Sequence, residues 1–205
     1  MNSPHFSTKQ RILDSAEALF ARHGFAGASL RQVTAAAKVN LAAVNYHFGS
    51  KENLINEVFR RRLDVLNSER LQALSAALAA PEVRLEDVLA AFIRPALAMA
   101  QDEHGGAGFV RVLARAYAEH NTQLRKFLHD NYSPTLKQFA AAFARLLPHL
   151  DKQELYWRLD IVSGALTYAM ADFGLIKRRG TTPQQHQELA VQHLIKFAAA
   201  GLRAP

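Results

Sequence analysis

The stretch Asn40-Leu41-Ala42-Ala43-Val44-Asn45-Tyr46-His47-Phe48-Gly49-Ser50-Lys51 carries its own start and stop signals. Asn40 is a residue type that caps a helix by accepting a hydrogen bond from a first-turn backbone N–H. Gly49 breaks the pattern, so the spacing predicts a short helix over 41–46, and Ser50 opens another behind it. Leu41, Val44 and Phe48 share a face at three- and four-residue spacing and are expected to pack on Phe20, Leu30 and Val33. The opposite face carries Ala42, Ala43, Asn45, Tyr46 and His47. Such side chains suit a surface lying in a DNA groove, with methyls for thymine and polar tips for base edges or phosphates. Ser50 and Lys51 put free N–H groups and positive charge at the next helix start, which favours a phosphate.

Toward the N-terminus, an apolar stripe of Ile12, Leu13, Ala16, Leu19 and Phe20 predicts a helix from about Ser7 to His23. Gly24 is expected to end it as a left-handed cap. Ser29 and Gln32 form a capping box for a second helix that ends near Ala37. Three short helices with brief turns are the layout of a helix-turn-helix, whose last helix enters the major groove. Toward the C-terminus, a linking helix is expected over 51–80, and Pro81 follows it. Further helices are expected at 84–103, 106–118, 122–147, 152–178 and 183–203. Asp151 with Glu154 and Thr182 with Gln185 supply caps, and Pro183 occupies a first helical position. Strand signals are scarce. The expected fold is all-α with about nine helices: a helix-turn-helix DNA-binding domain over 1–50, and a ligand-binding and dimerisation domain over 51–205.

The composition fits this reading. Of the 205 residues 49% are apolar and 21% charged, a globular balance. There is no cysteine, so disulfides and thiolate metal sites are excluded. The polar first ten residues lack a signal-peptide core, and Ile161 to Ala171 falls short of a membrane span. A cytoplasmic protein without a membrane partner is expected. Residues 1–62 hold nine Lys and Arg against four acids, a net +5 out of +7 for the chain, which suits a polyanion partner. Arg60-Arg61-Arg62 reads as a solvated helix face. His186 and His193 have no carboxylate or cysteine to complete a metal site. Gly105-Gly106-Ala107-Gly108 follows no strand, so no nucleotide loop is expected. No cofactor is implied. No nucleophile–base pair or paired carboxylates stand out, so an enzyme is not expected. The competing classes are a small-molecule-binding protein and an enzyme, each without DNA function.

The last two helices read as a dimer interface. Leu155, Leu159, Val162, Leu166, Met170 and Phe173 recur on one, with Gly164, Ala165 and Ala169 permitting close approach. The other offers Leu189, Leu194, Phe197, Ala198, Gly201 and Leu202. The middle helices are rich in aromatics that can line an apolar pocket, and an arginine such as Arg94 or Arg115 can hold an acidic headgroup. The candidate ligand contacts are Phe92, Phe109, Arg111, Tyr117, Phe139, Phe143, Trp157, Arg158 and Tyr168.

From Arg11 to Leu54 the chain resembles the TetR family of regulators. The matching elements are Arg11-Ile12-Leu13, Ala16, Phe20, Gly24-Phe25, Ser29-Leu30-Arg31-Gln32-Val33, Ala37, Val39, Val44, Tyr46-His47-Phe48 and Ser50-Lys51-Glu52-Asn53-Leu54. The resemblance implies a homodimer, paired through the last two helices, that represses transcription and leaves its operator DNA when a ligand enters the C-terminal domain. By position it implies that Asn45, Tyr46, His47 and Lys51 hold phosphates and that Ala42 and Ala43 face bases. The resemblance makes Thr8 and Arg31 further candidate contacts. Lys38 stands where the family usually has glycine; it is expected to accept a left-handed conformation at ~1–2 kcal/mol and to contact phosphate. Asn40 to Lys51, together with Phe109-Val110-Arg111-Val112-Leu113, Leu124-Arg125-Lys126-Phe127-Leu128 and Glu154-Leu155-Tyr156-Trp157-Arg158, is similar to a subgroup that includes a pseudomonad regulator of fatty-acid metabolism. That similarity implies a fatty acid or acyl-CoA as effector.

Overall fold

The computed structural model describes residues 7–102, 105–119, 121–171, 180 and 182–205. The described residues fold as α1 (Thr8–Gly27), α2 (Leu30–Ala37), α3 (Leu41–Phe48), α4 (Lys51–Leu78), α5 (Leu85–Ala100), α6 (Gly106–Ala118), α7 (Thr122–Leu146), α8 (Lys152–Met170) and α9 (Pro183–Arg203). No strand occurs among them. The second half of the helix expected at 152–178, with Phe173, lies outside the described residues.

Contacts divide the chain into two compact units: residues 1–64 with 108–130, and residues 65–107 with 131–205. This division differs from the expected one of 1–50 and 51–205, because α4, α6 and α7 each supply residues to both units.

In the first unit the local chemistry of the helix starts is visible atom by atom. Ser7 and Ser29 each form a reciprocal capping box, with Gln10 and Gln32 respectively. Asn40 Oδ1 accepts from the Ala43 N–H at 2.9 Å. Ile12, Ala16, Phe20, Val33, Val44, Leu54, Val58 and Phe59 fill the core. An aromatic series runs through it, from Phe20 to Phe25 (5.6 Å between centroids), Phe59 (6.2 Å) and Phe109 (5.5 Å).

Gly24 does not end α1 as a simple left-handed cap. Its backbone (φ 73°, ψ 174°) kinks the helix, which resumes as far as Gly27. That conformation is essentially restricted to glycine. The kink frees the Phe25 N–H from the helical ladder, and both carboxylate oxygens of Glu119 accept from it, at 3.1 and 3.2 Å.

The reading of Arg60-Arg61-Arg62 as a solvated face holds for Arg60, which is exposed, and is corrected for Arg61 and Arg62. Arg61 and Arg62 hold Glu17, which is only 4% exposed, through contacts of 2.6 and 3.1 Å, and Arg61 also meets Asp14. A buried carboxylate needs such partners, since desolvating it alone costs several kcal/mol.

In the second unit α5 packs against α8 and α9, and α8 against α9. Two bidentate ion pairs clamp α5 to α9, Arg94 with Glu188 and Arg203 with Glu86. The pairing of 94 with 188 and of 86 with 203 sets the two helices antiparallel. Arg94 holds the Glu188 carboxyl well below its usual 4.5, at about 2, and Gln192 adds a second hydrogen bond. No described helix is long and apolar enough to cross a membrane.

Candidate nucleic-acid interface

The turn between α2 and α3 depends on one residue. Lys38 takes the left-handed conformation (φ 54°, ψ 50°), as expected for the position where the resemblance has glycine. Its N–H and that of Val39 return to the carbonyls of Ala35 and Thr34, closing α2. Asn40 then restarts the chain as α3, in a new direction. The α1–α2, α2–α3 and α1–α3 contacts complete a three-helix unit.

On α3, Val44 and Phe48 are buried as expected, and Phe48 lies beneath Lys9 Nζ at 6.0 Å from its ring. Leu41 is not: it is 46% exposed, so the expected three-residue core face is reduced to two. As the first residue of the helix it precedes the turn that contacts the core. Ala42, Asn45 and Tyr46 are exposed, the last at 86%, while Ala43 and His47 are half-buried. The Tyr46 and His47 rings meet edge to face at 5.1 Å. Arg31 and Lys38 are exposed; Thr8, in the first turn of α1, and Lys51, in the first turn of α4, are half-buried.

The charges of this unit sort themselves. Asp14, Glu17 and Glu57 pair with Lys9, Arg60, Arg61 and Arg62. Most of the excess positive charge of residues 1–62, +4 of the +5, therefore rests with Arg11, Arg22, Arg31, Lys38 and Lys51, against Glu52. Arg31, Lys38 and Lys51 belong to the helix-turn-helix and the helix start behind it.

The nine candidate ligand contacts do not come together as one lining. Phe92, Phe139 and Phe143 form a buried aromatic group in the second unit, with centroid distances of 5.2 and 6.5 Å. Phe109 belongs to the aromatic series of the first unit, and Arg111 is exposed on α6. The Tyr117 side chain lies outside the described residues. Trp157 (61%) and Tyr168 (48%) are exposed on α8. Arg158 pairs with Glu154 and donates to the carbonyls of Gly201, Leu202 and Ala204 at the end of α9. Sequence reading missed Arg70, buried at the level of Phe92. Its Nε donates to the Phe92 carbonyl at 2.9 Å, and its guanidinium lies 3.9 Å from the Phe92 ring centroid.

The expected interface stripes are corrected in part. Leu155, Val162, Leu166 and Met170 are buried within the chain, as are Leu194, Ala198 and Leu202. The exposed apolar stripe of α8 is Trp157, Ile161, Gly164 and Tyr168; that of α9 includes Leu189, Phe197 and Ala200. Both faces of each helix are apolar, and period alone does not say which one the chain keeps for itself.

Capped α2, a left-handed turn and a short exposed α3 define an all-helical, helix-turn-helix protein. Residues 12–58 match the family described as "Bacterial regulatory proteins, tetR family", and residues 90–201 that described as "Tetracyclin repressor-like, C-terminal domain". The chain belongs to the TetR family. It is similar to the transcriptional repressor NicS of Pseudomonas putida, 34% identical over 83 residues, covering 40% of this chain and 39% of the relative. It is also similar to the probable regulator YttP of Bacillus subtilis, 40% identical over 57 residues, covering 26% and 28%. The chain thus spans well under half the length of these relatives. Among solved structures, a TetR-like regulator from Rhodococcus sp. RHA1 superposes over the whole of both chains, with a TM-score of 0.67 and 19% identity. The fatty acid degradation regulator FadR of Bacillus halodurans does so with a TM-score of 0.66 and 18% identity. These two likenesses show the fold.

Proposed function

We propose that this chain is a DNA-binding transcriptional repressor that works as a homodimer and is released from its operator by a small apolar effector. The single observation that carries the reading is the helix-turn-helix itself. A short helix with exposed Ala42, Asn45 and Tyr46 stands between Lys38 and Lys51, in the segment that carries most of the chain's net positive charge. The named relatives are regulators, which supports it. In this reading Asn45, Tyr46, His47, Lys38 and Lys51 hold phosphates, Ala42 and Ala43 face bases, and Thr8 and Arg31 add contacts. The exposed stripes of α8 and α9 pair with those of a second copy, which removes their apolar surface from water. The effector lies against the Phe92, Phe139 and Phe143 group, and the FadR likeness favours a fatty acid or acyl-CoA. The effector acts only through a difference in affinity between two conformations, so operator DNA weakens its binding by the same factor.

The test is electrophoretic mobility shift and equilibrium titration with duplex DNA over a salt series. Lys51→Ala should weaken binding to every sequence and reduce the salt slope by about one unit. Medium- and long-chain fatty acids and their coenzyme A esters are then titrated into the complex. An unchanged salt slope removes Lys51 from the interface. Absence of any duplex binding refutes the repressor reading, and release by none of the acids refutes the effector class alone.

A further inference from the structure

The first turn of α3 lacks the side chains with which proteins usually hydrogen-bond to base edges. It consists of Leu41, Ala42 and Ala43, and the Asn40 carbonyl oxygen before it is committed to the Ala43 N–H. An exposed leucine at a scattered surface position carries no message. This one stands at the first position of the helix that enters the groove, where the N-terminal residues of a recognition helix meet the bases. Its neighbours on the exposed arc are Ala42, adjacent in the chain, and Asn45, one turn on. Leaving a leucine nearly half in water forgoes stabilisation that burial would give. In the groove the feature of a base pair that rewards apolar contact is the 5-methyl group of thymine.

We infer that Leu41 is a specificity-determining residue that selects thymine in each half-site by contact with its 5-methyl group, with Ala42 flanking the same patch. The inference rests on the DNA-binding reading above. It places the choice between A·T and G·C at the start of α3 in a hydrophobic contact. The phosphate-holding residues fix the register in which that contact is made.

The experiment uses the full chain and DNA differing by one methyl group. A duplex is selected by the wild-type protein from a random-sequence pool, and its dissociation constant is measured at fixed salt. Each half-site thymine is then replaced in turn by deoxyuridine. At one symmetric pair of positions the wild type should bind about fourfold more weakly per half-site, the value of one buried methyl. Leu41→Ala should bind the thymine and deoxyuridine duplexes equally. Equal binding of both duplexes by the wild type overturns the inference while leaving DNA binding intact. A penalty that persists in Leu41→Ala assigns the methyl contact to another side chain and also overturns it. The wild-type comparison needs no variant, so a folding defect does not obscure it. If no duplex is selected at all, the DNA-binding reading fails, and this inference with it.

Discussion

Gly24 shows how one residue settles what its neighbours must do. Its backbone conformation excludes a side chain, and a Cβ placed there would overlap Oε1 of Glu119. The same kink leaves the Phe25 N–H to be satisfied from ninety-four residues further on, by Glu119. Gly24→Ala should therefore destabilise the protein by at least about 2 kcal/mol, from backbone strain plus displacement of the carboxylate. Glu119→Ala should lose about 1–3 kcal/mol, because it strands a part-buried donor. Urea unfolding checks both, and a double variant should show less than the sum, since the two residues share one contact. The turn chemistry was legible in sequence: a capping residue acts on atoms within three or four positions of itself, so Ser29 with Gln32, Asn40, and Thr182 with Gln185 could be read directly. Glu119 was not legible, because nothing near residue 24 names its partner. Leu41 escaped for a related reason. Its spacing fits the core face, and only the placement of α1 and α2 decides whether anything covers it.

At the scale of elements, α5 and α9 are joined at two places by the Arg94–Glu188 and Arg203–Glu86 pairs. Both carboxyls are held below their usual range, Glu188 by Arg94 and then Gln192, and Glu86 by Arg203. A carboxylate with a depressed folded-state pKa gives stability that is present above its unfolded value and is lost as pH falls through the folded one. For Glu188 that window runs from about 4.5 down to about 2. The pairs are largely exposed, so each is worth little in salt. Glu188→Gln should make the urea midpoint fall less steeply with pH across that window, and the difference should shrink at high ionic strength. An identical pH profile would refute the clamp. Helix bounds were well read here: α6 and α9 lie at the expected residues, and α5 and α7 continue through Pro95 and Pro134 as expected. What periodicity left open was the facing of the helices. Arg61 and Arg62 turn inward to Glu17, and on α8 the inward stripe is the one read as intermolecular. Each depends on what lies opposite, which a single helix does not encode.

For the molecule as a whole, the exposed stripes of α8 and α9 bear on its assembly. Ile161 is 63% and Phe197 67% exposed, beside Trp157 and Leu189. If a second copy covers them, Ile161→Glu should shift the protein to monomers by light scattering at micromolar concentration and weaken operator binding, while helical circular dichroism stays unchanged. Dimers of undiminished stability would exclude the stripe as the interface. Exposed charge on the first unit and exposed apolar surface on the second have different dependences on solution conditions. Salt weakens the former, whereas the heat-capacity change on association marks the latter. The stripe has one more property. Trp157 is the sole tryptophan among 205 residues, so the protein's indole fluorescence comes from a single place on α8. Its emission is then an optical gauge of assembly. Diluting the protein through its dimer dissociation constant should move the band to longer wavelength and increase quenching by iodide, both returning on concentration, with no label attached.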